Sequence, residues 1–144
     1  MFYLTKIFHF EAAHALAGYD GKCRNIHGHS YELRVTVKGM PLNEPGNPKN
    51  GMVIDFHDLK QIVAQEIVDK LDHAFIIGGN MPQSFVEITK QNFDKVVELP
   101  YQPTTENMLA DFVARIQKHL PQHVELYSVT LQETRDNIAE WRES

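Results

Sequence analysis

Two alternating segments of this chain each end in histidine, and together they constrain the fold more than any other feature. The first stripe is Phe8, Phe10, Ala12 and His14; the second is His29, Tyr31, Leu33, Val35 and Val37. A period of two places each stripe on one face of a β-strand. If neither strand carries a bulge, the histidines face inward with the apolar side chains, and His27 joins them from two residues before His29. Buried imidazoles need partners, and a shared cation would supply one. Three imidazoles leave a tetrahedral Zn2+ one open position for water or substrate. An isolated His-x-His is weak evidence, because histidines often stand on strands as ordinary residues. The shared parity turns the reading toward metal.

Four further groups carry chemistry, each beside a plainer reading. Cys23, the chain's single cysteine, is open to three: a fourth metal ligand, an inert buried thiol, or a catalytic base or nucleophile whose thiolate is favoured by Lys22 and Arg24. Leu71-Asp72-His73 closes a helical pattern. His73 is either an imidazole favoured by the helix dipole or an acid/base group oriented by Asp72. Pro103-Thr104-Thr105-Glu106-Asn107 reads as a threonine N-cap with an acid in the first turn, whether or not a ligand also binds there. Glu133 shares parity with Tyr127, Val129 and Leu131. It either tips into solvent at the strand end or offers a buried carboxylate to a planar ligand with two parallel N–H groups.

The period changes along the chain. Residues 2–10 and 29–39 read as strands. The stretch Pro41–Gly51 is a loop, and Met52-Val53-Ile54 a short strand after the Asn50-Gly51 turn. Leu59, Ile62, Val63, Ile67 and Leu71 fall at helical spacing behind an Asp55 N-cap, and Leu109, Phe112, Val113, Ile116 and Leu120 form a second helix stopped by Pro121. Val96–Leu99 and residues 124–133 are strand candidates, and Ile76–Lys95 reads as a surface excursion. The expectation is α+β: one domain over residues 1–144, with an antiparallel four-stranded sheet and two helices on one face. Ser30, Glu32, Arg34, Thr36 and Lys38 make the other face polar. A small sheet with open edges gains from pairing with copies of itself, so oligomerisation is expected.

With 144 residues, 42% of them hydrophobic, the chain can bury a real core. A net charge of −5 without a Lys/Arg cluster gives no nucleic-acid footprint. One cysteine excludes an internal disulfide and fits a reducing compartment. Met1–Lys6 carries no apolar run of signal-peptide length, and nothing approaches a membrane span, so a cytoplasmic location is expected.

Taken together, these stretches resemble the 6-pyruvoyl-tetrahydropterin synthase superfamily, and within it the bacterial 6-carboxy-tetrahydropterin synthases of queuosine biosynthesis. The match runs through Phe10-Glu11-Ala12-Ala13-His14, Cys23-x-x-x-His27-Gly28-His29, Asp55-Phe56-x-x-Leu59, Leu71-Asp72-His73, Pro103–Asn107 and Glu133-Thr134. Each motif is weak alone; six in order are specific. The resemblance implies the tunnelling fold, in which sheets of several subunits join into a barrel, usually a homohexamer with active sites at subunit boundaries. It implies zinc held by His14, His27 and His29, and a catalytic group of Cys23, Asp72 and His73. Glu133 would anchor the pterin, with Thr104, Thr105 and Glu106 lining the same pocket.

The implied reaction is zinc-dependent conversion of 7,8-dihydroneopterin triphosphate to 6-carboxy-5,6,7,8-tetrahydropterin, releasing triphosphate and acetaldehyde. The three-residue gap between Cys23 and His27 resembles the carboxy-forming branch. Pyruvoyl-type elimination of triphosphate alone is the alternative, and a non-catalytic zinc- or pterin-binding protein is another. A related branch that cleaves dihydroneopterin side chains typically carries Glu near the cysteine's position, so Cys23 argues against it.

Overall fold

Alternation builds the centre of the fold. In the computed structural model, which describes residues 1–144, β1 (Phe2–His14) and β2 (His27–Gly39) pair antiparallel without a break in register from Phe2↔Gly39 to His14↔His27. Both strands therefore keep one parity throughout. Phe8, Phe10, Ala12 and His14 are buried together with Tyr31, Leu33, Val35 and Val37. Phe10 stacks on Tyr31 with centroids 4.9 Å apart. Each such apolar side chain, fully buried, contributes about 1.5–3 kcal/mol.

The first helix, α1 (Phe56–Val63), starts at Asp55, whose carboxylate accepts the His57 N–H at 2.8 Å. It continues through a π-helical turn (Ala64–Val68) and a last turn (Asp69–Leu71). Leu59, Val63, Ile67 and Leu71 are all buried, at a strict spacing of four. A regular α-helix would rotate the last of them about 120° away from the first. The wider π turn unwinds part of that drift and keeps the stripe on the sheet. A second helix, α2 (Gln83–Asn92), buries only Val86 and Thr89. The third, α3 (Thr105–Gln117), buries Met108, Leu109, Phe112, Val113 and Ile116. Leu59 and Val63 of α1 and Phe112 of α3 join the β1–β2 side chains in one apolar cluster.

The sheet corrects the expectation. It has six strands, in the order β4-β3-β1-β2-β5-β6, and it is mixed rather than antiparallel. Strands β3 (Ala74–Gly78) and β4 (Val96–Leu99) run parallel, β3 to β1 and β4 to β3. Strands β5 (Val124–Thr134) and β6 (Asn137–Arg142) extend the other side antiparallel. The run Ala74–Gly78 is almost wholly buried and does not alternate, as suits a strand covered on both faces. The expected excursion over Ile76–Lys95 holds most of β3 and all of α2, so there are three helices rather than two. Met52–Ile54 forms no strand.

A bulge also shifts β5. Thr36 faces Ser128 while Val37 faces Leu126, so Tyr127 is the extra residue. Leu126 therefore points inward in its place, and Tyr127 meets Tyr3 edge-on at 4.7 Å. Beyond the bulge, Val129, Leu131 and Glu133 keep the expected parity.

Candidate metal centre and proton-handling pair

The unbroken β1–β2 register sets His14 directly across from His27, with His29 opposite Ala12. The ring nitrogens of His14, His27 and His29 converge, with one candidate ligand atom from each lying within 4.8 Å of the others. Backbone carbonyls orient two of the rings. His14 Nδ1 donates to the Pro103 carbonyl at 2.8 Å, and His27 Nδ1 donates to the Asn25 carbonyl at 2.7 Å. Those bonds put the protons on Nδ1 and leave lone pairs on both Nε2 atoms, which lie only 3.0 Å apart. Two neutral imidazoles presenting lone pairs to each other repel unless a cation stands between them. His29 Nε2 is buried without a hydrogen-bond partner and lies 3.6 Å from Glu133 Oε1. Burial, reinforced by the mutual repulsion of the rings, lowers the His14 pKa to about 4 and depresses that of His29. Burial thus favours the neutral form of His14 and His29, and His29 Nε2 stays unsatisfied. Tetrahedral zinc separates its nitrogen ligands by about 3.3 Å, within the spread of these rings, so the residues fit a zinc ion.

Glu133 sits where the β5–β6 register shifts. Its Oε2 accepts the Thr105 hydroxyl at 2.8 Å. The start of α3 therefore touches both parts of the centre: the Pro103 carbonyl holds His14, and Thr105 holds Glu133. Thr104 acts as the N-cap, accepting the Asn107 N–H at 3.2 Å. Glu106 is exposed, and no contact ties it to the cluster. Cys23 lies half-buried in a 3₁₀ turn (Lys22–Arg24) in the β1–β2 connection, outside the converging donors.

Asp72 and His73 form a separate unit. His73 Nδ1 lies 3.1 Å from Asp72 Oδ1, which also accepts the Glu11 N–H at 2.9 Å. That backbone bond, followed by the His73 contact, lowers the Asp72 carboxyl pKa. The His73 side chain is 77% exposed. It lines an open groove of about 610 Å³ with Glu11, Ser30, His29, Phe93 and Lys95. Cys23 lines no part of that groove. The structure brings together His14, His27, His29, Glu133 and Thr105, and separately Asp72 and His73. Sequence reasoning missed the carbonyls of Asn25 and Pro103 and the backbone of Glu11. Main-chain groups leave no residue-type signal, although the proline after Gln102 marks the chain's entry to α3.

The 6-pyruvoyl tetrahydropterin synthase family profile matches residues 3–144. The chain belongs to that family. It is 40% identical to the 6-carboxy-5,6,7,8-tetrahydropterin synthase of Haemophilus influenzae, over 99% of this chain and all of the relative. It is 30% identical to the enzyme of the same name from Aquifex aeolicus, over 97% of each. Among solved structures, the Caenorhabditis elegans 6-pyruvoyl tetrahydropterin synthase superposes with a TM-score of 0.68 at 26% identity, covering 99% of this chain and 96% of that one. An uncharacterized Wolinella succinogenes protein shares the fold, with a TM-score of 0.78 at 20% identity, covering 99% and 98%.

Proposed function

We propose that this protein is a zinc-dependent 6-carboxy-5,6,7,8-tetrahydropterin synthase of queuosine biosynthesis. In this reading it converts 7,8-dihydroneopterin triphosphate to the carboxy product with release of triphosphate and acetaldehyde. The observation that carries the reading is the convergence of three imidazoles beside Glu133. Full-length 40% identity to the Haemophilus influenzae enzyme supports it.

His14, His27 and His29 would hold the zinc, which when bound supplies a Lewis acid that polarises substrate hydroxyls and acidifies the adjacent C–H. The chain's own residues do the rest. Glu133, fixed by Thr105, accepts two N–H bonds from the guanidine-like edge of the pterin and sets the ring's orientation. The Cys23 thiolate removes the side-chain proton as base. Asp72 orients His73, which returns or relays protons.

Because Cys23 is absent from the groove of His73, we assign the two to different copies of the chain, meeting at subunit boundaries. The edge of β1 over Phe2–Phe10 pairs with no other strand on the side away from β2. That edge favours a neighbouring sheet and a barrel-forming homohexamer. No helix is long and apolar enough to cross a membrane, which is compatible with the expected cytoplasmic location.

Anaerobic incubation of the zinc-loaded protein with 7,8-dihydroneopterin triphosphate tests the reading. Acetaldehyde and 6-carboxy-tetrahydropterin are expected together. Triphosphate release without acetaldehyde would assign the pyruvoyl reaction instead. No turnover would leave a binding protein.

A further inference from the structure

The segment joining α2 to β4 reaches the proton-handling pair. Lys95 stands immediately before β4, and its carbonyl accepts the Phe75 N–H at 3.0 Å, which fixes its backbone beside β3. Its ammonium turns back to the end of the first helix. There it donates to the carbonyls of Asp69 at 2.8 Å and Asp72 at 2.6 Å. The last carbonyls of a helix lack intrahelical partners and attract cations.

The residue after Asp72 is His73, the only non-glycine with positive φ, at 60°. That conformation is uncommon for a residue with a Cβ, and although histidine enters it more readily than most, it is held best where neighbours tether the backbone. Glu11 restrains it from one side, accepting the His73 N–H at 2.6 Å and donating its own N–H to Asp72 Oδ1. Lys95 restrains it from the other.

We propose that Lys95 is a positioning residue for the Asp72–His73 pair. It ties the last carbonyls of the first helix to β4 and so keeps His73 in the left-handed conformation that sets its imidazole beside the Asp72 carboxylate. The inference rests on the proposed role of His73 and adds what holds that side chain in place. None of the hydrogen bonds of Lys95 runs to the three-histidine centre, so zinc retention is independent of it.

The test compares Lys95→Met, Lys95→Arg and the nearby control Lys90→Met, whose ammonium pairs with Glu98. Turnover, bound zinc and hydrogen exchange of the His73 amide are read for each. Lys95→Met should lower kcat about ten- to a hundredfold, the scale of an ångström-level misplacement. KM and zinc content should hold while the His73 amide exchanges about tenfold faster, as expected for a local opening. Lys95→Arg should recover most of kcat, and Lys90→Met should change nothing. Lys95→Gln, which keeps a donor without the charge, serves if the methionine variant does not fold. Unchanged exchange or unchanged kcat in Lys95→Met overturns the proposal, as does a kcat loss that merely follows zinc loss. If the unsubstituted protein makes no acetaldehyde, the functional reading falls instead, and exchange alone decides whether the clamp exists.

Discussion

The three-histidine centre and the Asp72–His73 pair lie near the same strand ends, yet they are built in opposite ways. His14 is 2% exposed, its ring locked by a carbonyl from the start of α3. The His73 side chain is 77% exposed, on a left-handed residue tethered by Glu11. The centre is preorganised by packing, and its donors lie within one chain. The pair is preorganised by backbone tethers and presented outward. In the proposed mechanism this difference means that each copy completes its own metal site but lends its proton relay to a neighbour.

Substitutions can break that contrast. Cys23→Ala should lower turnover by about 10²–10⁴-fold, the range for a lost general base, while zinc stays bound at one per chain. Zinc loss in that variant would make Cys23 a ligand and collapse the distinction. Asp72→Asn should cost about 10²-fold in kcat with zinc unaffected, because the amide keeps the shape but no longer supports an imidazolium. A KM effect alone would instead place Asp72 in substrate binding.

Acid should act on the buried centre first. Burial holds the folded-state pKa of His14 at about 4, against 6.5 for the unreacted side chain. Between those values the unfolded chain binds the extra proton and the folded chain does not. The metal-free protein should therefore lose stability as pH falls from 6.5 to 4, by at most about 3 kcal/mol, with no contribution from this group above 6.5. Urea midpoints of the metal-free protein at pH 7.5 and 5 would show it; equal midpoints would contradict it. The smallest effect belongs to Thr105→Val. It removes one hydrogen bond to Glu133 and should raise KM about three- to tenfold with kcat nearly unchanged, as a lost bond worth about 1 kcal/mol requires.

What was legible in the sequence followed periodicity. His14 and His29 were readable as inward because β1 and β2 keep parity along their whole length, and α1 and α3 announced their buried stripes. Parity failed at Tyr127, where the bulge that turns Leu126 inward has no local signature. It recovered beyond that point, so Glu133 keeps the parity of Val129 and Leu131. Strand β3 escaped notice because Phe75-Ile76-Ile77 is too short and too uniformly apolar to show a period, and parallel pairing through a distant partner cannot be read locally. The weakly apolar α2 hid for the related reason that it buries only two residues. Lys95 was invisible because its partners are carbonyls.

The most direct test of the contrast is subunit complementation. Cys23→Ala and His73→Ala chains, each inactive alone, would be unfolded together, refolded as mixed assemblies and assayed for acetaldehyde. If each site takes Cys23 from one copy and His73 from another, random mixing restores about one quarter of full activity, as closed assemblies with shared sites require. If both residues serve a site within one chain, every site carries a defect, and the mixture stays inactive.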